Sequence, residues 1–204
     1  AGDQAGWSVS SAGDVNGDSF GDVVIGAPIG GSGEGRAFLF LGSPNGLAPT
    51  PAWSAEGDLV SANFGWSVSS AGDVNGDGYG DVAIGAPFWD VLQQDEGLVE
   101  VFRGAPLAPE TVPAMMLGSG LLGAEMGGSI APLRDLNEDG FADLVIGAPG
   151  AAGRVYAYYG AGGAGFTARL IVNDLEQGDL LRRRPAPNRL GLSNEVWPRV
   201  ELAT

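Results

Sequence analysis

The sequence predicts an all-β fold, a β-propeller-like array of three four-stranded antiparallel blades, and three observations predict it. A unit of about sixty residues recurs three times along the chain. Each unit holds short apolar, β-branched runs set between Gly- and Pro-rich turns. No segment sustains a helical period. Four short strands in about sixty residues make one propeller blade.

The first unit opens Gly6-Trp7-Ser8-Val9-Ser10-Ser11-Ala12-Gly13-Asp14-Val15-Asn16-Gly17-Asp18, and the second repeats it without a change from Gly65 to Asp77. A looser third copy runs from Gly127-Gly128-Ser129-Ile130 to Asn137-Glu138-Asp139. Each opening is followed by an apolar run that ends in Gly-Ala-Pro: Val23 to Pro28, Val82 to Pro87 and Leu144 to Pro149. These read as buried strands stopped by a residue that cannot donate to a ladder. Third strands are predicted over 36–41, 98–103 and 154–159, and fourth strands near 52–55, 112–117 and 166–172. The blades are bounded at 1–57, 58–118 and 119–181. A tail over 182–204 stands outside the pattern, with five Arg and two Glu against a charge of −18 on residues 1–181. Two readings of it are open: out-of-pattern sequence, or a basic extension that docks on the acidic repeats. The chain opens in mid-pattern, as a processed or excised piece would.

Composition narrows the function classes. The net charge of −15 repels nucleic-acid phosphate and anionic lipid, so neither is an expected partner. No apolar stretch approaches the ~18 residues of a membrane span. The chain has no Cys and no His, and all ten of its basic residues are Arg. It therefore lacks a thiolate, the commonest general base and the commonest transition-metal ligand. An unassisted Ser is a poor nucleophile, and the recurrent aspartates are claimed by other work. The expectation is a protein that is not an enzyme.

That other work is cation binding. Each repeat carries a loop Asp-x-Asn-x-Asp-x-x-x-Asp with side-chain oxygens at positions 1, 3, 5 and 9: Asp14, Asn16, Asp18 and Asp22; Asp73, Asn75, Asp77 and Asp81; Asp135, Asn137, Asp139 and Asp143. Position 7, which is Phe20, Tyr79 or Phe141, adds a backbone carbonyl. Five hard oxygen donors, completed by water or a bidentate Asp, match what Ca²⁺ takes, and up to three ions are expected. Three ions would cut the net charge from −15 to −9. Mg²⁺ fits less well because it demands a compact octahedron and keeps its waters. An EF-hand also uses positions 1, 3 and 5, but it needs a Glu at position 12 between helices, where this chain has Ile25, Ile84 and Ile146 between strands. A single such loop is often a turn that needs no metal. Three copies with a fourth Asp at fixed offset favour the cation. Gly78 and Gly140 sit at position 6, where a positive φ is wanted, and Ser19 takes that place in the first loop, ranking it weakest.

Phe64-Gly65 and Gly85-Ala86-Pro87 in the second repeat, with Ala5-Gly6 and Met126-Gly127 in the others, carry a family resemblance. Over roughly residues 1–181 the chain resembles the FG-GAP repeat, the blade unit of integrin α-subunit propellers. The resemblance implies a calcium-binding, non-catalytic interaction or adhesion module, extracellular or at the cell surface, with a protein or glycan ligand. A lectin-like propeller and an accessory domain of a larger secreted hydrolase are the alternatives. In that family the calcium loops lie on one face and the loops between second and third strands on the other, where integrins bind ligands. The matching loops are 29–35, 88–97 and 150–153. Phe88, Trp89 and Asp90 in the longest are the candidate partner patch, against the competing reading that both aromatics pack on the neighbouring blade. Trp7 and Trp66 are expected in the core between blades. Three blades cannot close a ring, so further blades or self-association are implied.

Overall fold

A computed structural model describes residues 2–90, 92–150, 153–163 and 165–173. The chain divides into two compact units, Ala1–Asp174 and Leu175–Thr204. The predicted tail over 182–204 and the end of the third blade belong to the second unit, outside the described residues.

Among the described residues, twelve strands form in the predicted order. β1 (Ser8–Gly13), β2 (Asp22–Ala27), β3 (Arg36–Phe40) and β4 (Trp53–Glu56) make the first sheet. β5 (Ser67–Gly72), β6 (Asp81–Ala86), β7 (Leu98–Phe102) and β8 (Met115–Gly118) make the second. β9 (Ser129–Leu133), β10 (Asp143–Ala148), β11 (Arg154–Ala161) and β12 (Gly165–Asn173) make the third. Within each sheet the described strands pair antiparallel between sequence neighbours, and register repeats with the sequence: Val9 faces Ile25, Val68 faces Ile84, and Ile130 faces Ile146. The described residues contain no helix, and the predicted all-β, propeller-like array of three blades is what forms.

The blades stack through their first strands, β5 lying between β1 and β9. Val24, Leu39 and Trp53 of the first sheet meet Val68, Ile84 and Phe102 of the second in one apolar cluster. Ala83, Val99 and Val101 meet Leu144, Ile146 and Tyr156 in the next.

The two halves of the repeat signature are the two sides of this joint. A Cβ on Gly26 would run into the Gly65 carbonyl, and one on Gly85 into that of Gly127. Only Gly lets the next blade's backbone come so near. Ser8 Oγ donates to that same Gly65 carbonyl at 2.9 Å, and Ser67 Oγ to Gly127 at 2.6 Å. Phe64 is fully buried, and its N–H donates to the Glu34 carbonyl beside a parallel bridge to Gly35. Met126 repeats this against Glu96 and Gly97, so an apolar side chain of Phe or Met size serves the position. Burying such a side chain contributes about 2–3 kcal/mol.

One core expectation is corrected. Trp7 is 51 % exposed and Trp66 half-buried. Both stand just before their strands, at the end opposite the aspartate loops, and Trp66 alone of the two has a described blade in front of it. Their rings lie 4.8 Å apart, and Phe88 meets Trp66 edge-on at 5.7 Å.

Candidate metal centre

The three loops are built by one hydrogen-bond plan. The first Asp folds back on its own loop: Asp14 accepts from the N–H groups of Gly17 (2.7 Å), Asp18 (3.0 Å) and Ser19 (2.8 Å). Asp73 does the same for Gly76, Asp77 and Gly78, and Asp135 for Asp139 and Gly140. Asn16, Asn75 and Asn137 each donate through Nδ2 to the Asp two residues on, at 2.8–2.9 Å. That Asp accepts the N–H of the position-7 aromatic through its other oxygen, at 2.9–3.0 Å. Such rings of side chain and backbone make an Asx-rich turn held by the loop's own groups.

Position 9 ties the loop to the sheet. Asp22, Asp81 and Asp143 open β2, β6 and β10, and all three are buried. Each accepts from the N–H at position 2 (Val15, Val74 or Leu136) and from a Gly just past β3, just past β7 or within β11 (Gly42, Gly104 or Gly160). Burial pushes the Asp81 carboxyl up to about 6, opposed by the Gly104 and Val74 N–H groups. Asp77 and Asp73 push it further, so the charged groups acting on it are themselves acidic. Burial raises Asp22 as well, with Asp18 and Asp14 adding to it.

The backbone bears out the geometry expected at position 6: φ is +71° at Ser19, +90° at Gly78 and +94° at Gly140. Ser19 thus sits where an L side chain costs about 1 kcal/mol. Position 4 is also left-handed, at Gly17 (+75°), Gly76 (+76°) and Glu138 (+60°). Sequence reasoning overlooked that constraint, although Gly at the same place in two of three loops marks it.

Among the described residues, no three His, Cys, Asp or Glu side chains are gathered as a metal-holding group. The carboxylates are turned onto the loop's own amides. The donor chemistry nonetheless fits a hard cation. Every polar side chain at positions 1, 3, 5 and 9 offers oxygen, none offers sulfur or imidazole, and a buried carboxylate stands among other carboxylates.

The candidate partner patch is divided. Trp89 is 7 % exposed and lies in the cluster between the first and second blades, where Phe64 and Leu98 also pack. It is a packing residue, because the chain turns inward behind β6 and Trp89 N–H closes onto the Ala86 carbonyl. Phe88 is half-buried against Trp66, and Asp90 is exposed, its carboxylate accepting the Asp95 N–H at 2.6 Å.

With this geometry in hand, comparison with known proteins agrees on one family. A family model described as FG-GAP repeat matches residues 5–40, 64–102 and 126–158. The chain is 32 % identical over 172 residues to mouse integrin alpha-IIb, covering 79 % of this chain and 16 % of that protein. It is 38 % identical over 168 residues to Drosophila melanogaster integrin alpha-PS5, covering 77 % and 16 %. Against Xenopus laevis integrin alpha-5 the identity is 36 % over 157 residues, covering 71 % and 15 %. The chain spans about a sixth of the length of these relatives.

Proposed function

The chain belongs to the FG-GAP repeat family, and from that premise we propose that it is a calcium-binding, non-catalytic interaction module of adhesion type, working outside the cell. The observation that carries the reading is the threefold donor set with a buried aspartate at its base. Asp14, Asn16, Asp18, Asp22 and the Phe20 carbonyl would hold one ion. Asp73, Asn75, Asp77, Asp81 and the Tyr79 carbonyl would hold the second, and Asp135, Asn137, Asp139, Asp143 and the Phe141 carbonyl the third. A bound ion supplies positive charge that offsets the crowding of carboxylates. Loops of this kind need only the affinities of extracellular modules, ~10⁻⁴–10⁻³ M, which supports a secreted or surface location.

Calorimetric titration of chelator-stripped protein, with a parallel thermal melt, tests this. About three ions per chain and a raised Tm are expected. No heat and no shift at millimolar calcium would make the loops metal-free turns.

The partner surface centres on Phe88, Trp66, Trp7 and Asp90, at the strand ends away from the aspartate loops. Half-exposed rings beside a carboxylate suit a protein ligand. A glycan is the second reading, favoured by the open face of Trp7. Glycan-array binding lost on Trp7→Ala would select the glycan, and an empty array would leave the protein ligand. The uncovered faces of the first and third blades are read as seats for further blades or for a second copy of the chain.

A further inference from the structure

Each aspartate loop touches the next blade through three contacts that recur at both blade joints. The Asp14 carbonyl accepts the N–H of Gly80, position 8 of the second loop, at 2.7 Å; the Asp73 carbonyl accepts that of Ala142, position 8 of the third, at 3.0 Å. One residue on, the Val15 carbonyl accepts the Ala105 N–H at 3.0 Å and the Val74 carbonyl that of Ala161 at 2.9 Å. The third contact is a ring seated on a glycine. A Cβ on Gly17 would stand 2.8 Å from Tyr79 Cε1, and one on Gly76 would stand 2.5 Å from Phe141 Cε1. On its other side Tyr79 is held by its own blade, its Cβ 2.7 Å from where a Cβ on Gly104 would be. Phe20, in the first of the three loops, is exposed, and the third loop has Glu138 where the other two have Gly17 and Gly76.

Gly17 and Gly76 lie inside the turn whose amides the first Asp binds, so the ring is seated on a residue whose own N–H the carboxylate holds. We propose that the three aspartate loops form one coupled array, in which Tyr79 and Phe141 are positioning residues for the loop before their own. Cation uptake at one loop then raises the affinity of its neighbour. This rests on the cation-site reading above. By linkage the effect runs both ways along the array.

The test is a calcium titration of the chelator-stripped full chain, following the Gly78 amide by NMR as the report on the second loop. The first loop is disabled by Asp14→Asn with Asp18→Asn, in chains carrying Tyr, Phe or Ala at position 79. Disabling it is expected to weaken the second loop about fivefold with Tyr79 or Tyr79→Phe, and less than twofold with Tyr79→Ala. A second readout needs no metal. In calcium-free protein, Tyr79→Ala should speed hydrogen exchange at Gly17, Asp18 and Ser19 severalfold, and Tyr79→Phe should not. A second loop indifferent to the state of the first, or equally weakened with Ala at 79, would overturn the coupling while leaving calcium binding intact. Wild-type protein that takes up no calcium would sink the site reading, and the array with it.

Discussion

The middle blade and its two neighbours share one sequence pattern but not one environment. Every residue of β6 and β7 is buried. In β2 burial alternates, with Val23 and Ile25 only half-covered, and in β10 it is Val145 and Gly147 that are left partly open. These are opposite faces: among the described residues, nothing covers the first blade in front or the third behind. Val9 is 60 % exposed and its counterpart Val68 7 %; Val15 and Val74 are fully buried and their counterpart Leu136 is 56 % exposed. The stabilising unit is therefore the joint between blades rather than the blade, as in other stacked repeats. Identical residues acquire different energetic weight according to which side of a joint they stand on.

The largest effect is expected from crowding a joint between blades. Gly85→Ala forces a Cβ into the Gly127 carbonyl, whereas among the described residues Gly147→Ala meets chiefly Ser129 Oγ and Cβ. The first should cost about 3 kcal/mol or more and the second about 1 kcal/mol, by denaturant unfolding. Equal costs would mean the joint is looser than its geometry. Next in size, Ile84→Ala should lose about 3–4 kcal/mol and the half-covered Ile25→Ala about 1–2 kcal/mol in the same measurement.

Glu100 sets the middle blade apart chemically. It occupies the register place of Phe38 and Tyr156, facing Ile84 as they face Ile25 and Ile146. Burial, helped by Asp58, pushes its carboxyl up to about 7 from 4.5. The folded chain thus holds this proton more tightly than the unfolded chain does. That stability is fully present below about pH 4.5 and is lost as pH rises through about 7. Glu100→Gln should remove this slope and stabilise the protein at pH 8 by about 1–3 kcal/mol. Melts of both proteins from pH 4.5 to 8 check it; parallel curves would contradict the assignment. Smallest of all, Ser19→Gly and Glu138→Gly should each raise stability by about 0.5–1 kcal/mol, because both residues hold a left-handed backbone that Gly adopts freely.

Much of this architecture was legible in the residues. Strand positions followed from the apolar runs, register followed from the repeat, and the aspartate loops followed from their spacing. What escaped depended on neighbours that no local pattern names. Trp7 and Trp66 stand in identical stretches of thirteen residues, yet among the described residues only Trp66 has a blade before it. Gly17 and Gly76 look like turn residues, and only the stacked loops reveal them as seats for Tyr79 and Phe141. Phe88 and Trp89 are adjacent aromatics in one loop, and the turn after β6 sends Trp89 inward while Phe88 stays at the rim. Glu100 reads as an ordinary acid until β6 and β8 close on either side of it.

The most direct test of the central claim is hydrogen exchange at the loop amides with and without calcium, followed residue by residue in one sample. Calcium should slow exchange at positions 4 to 7 of all three loops, at Gly17 to Phe20, Gly76 to Tyr79 and Glu138 to Phe141. The effect should be largest in the second loop, which has a neighbour on each side. Exchange unchanged by millimolar calcium at all three loops would contradict the account.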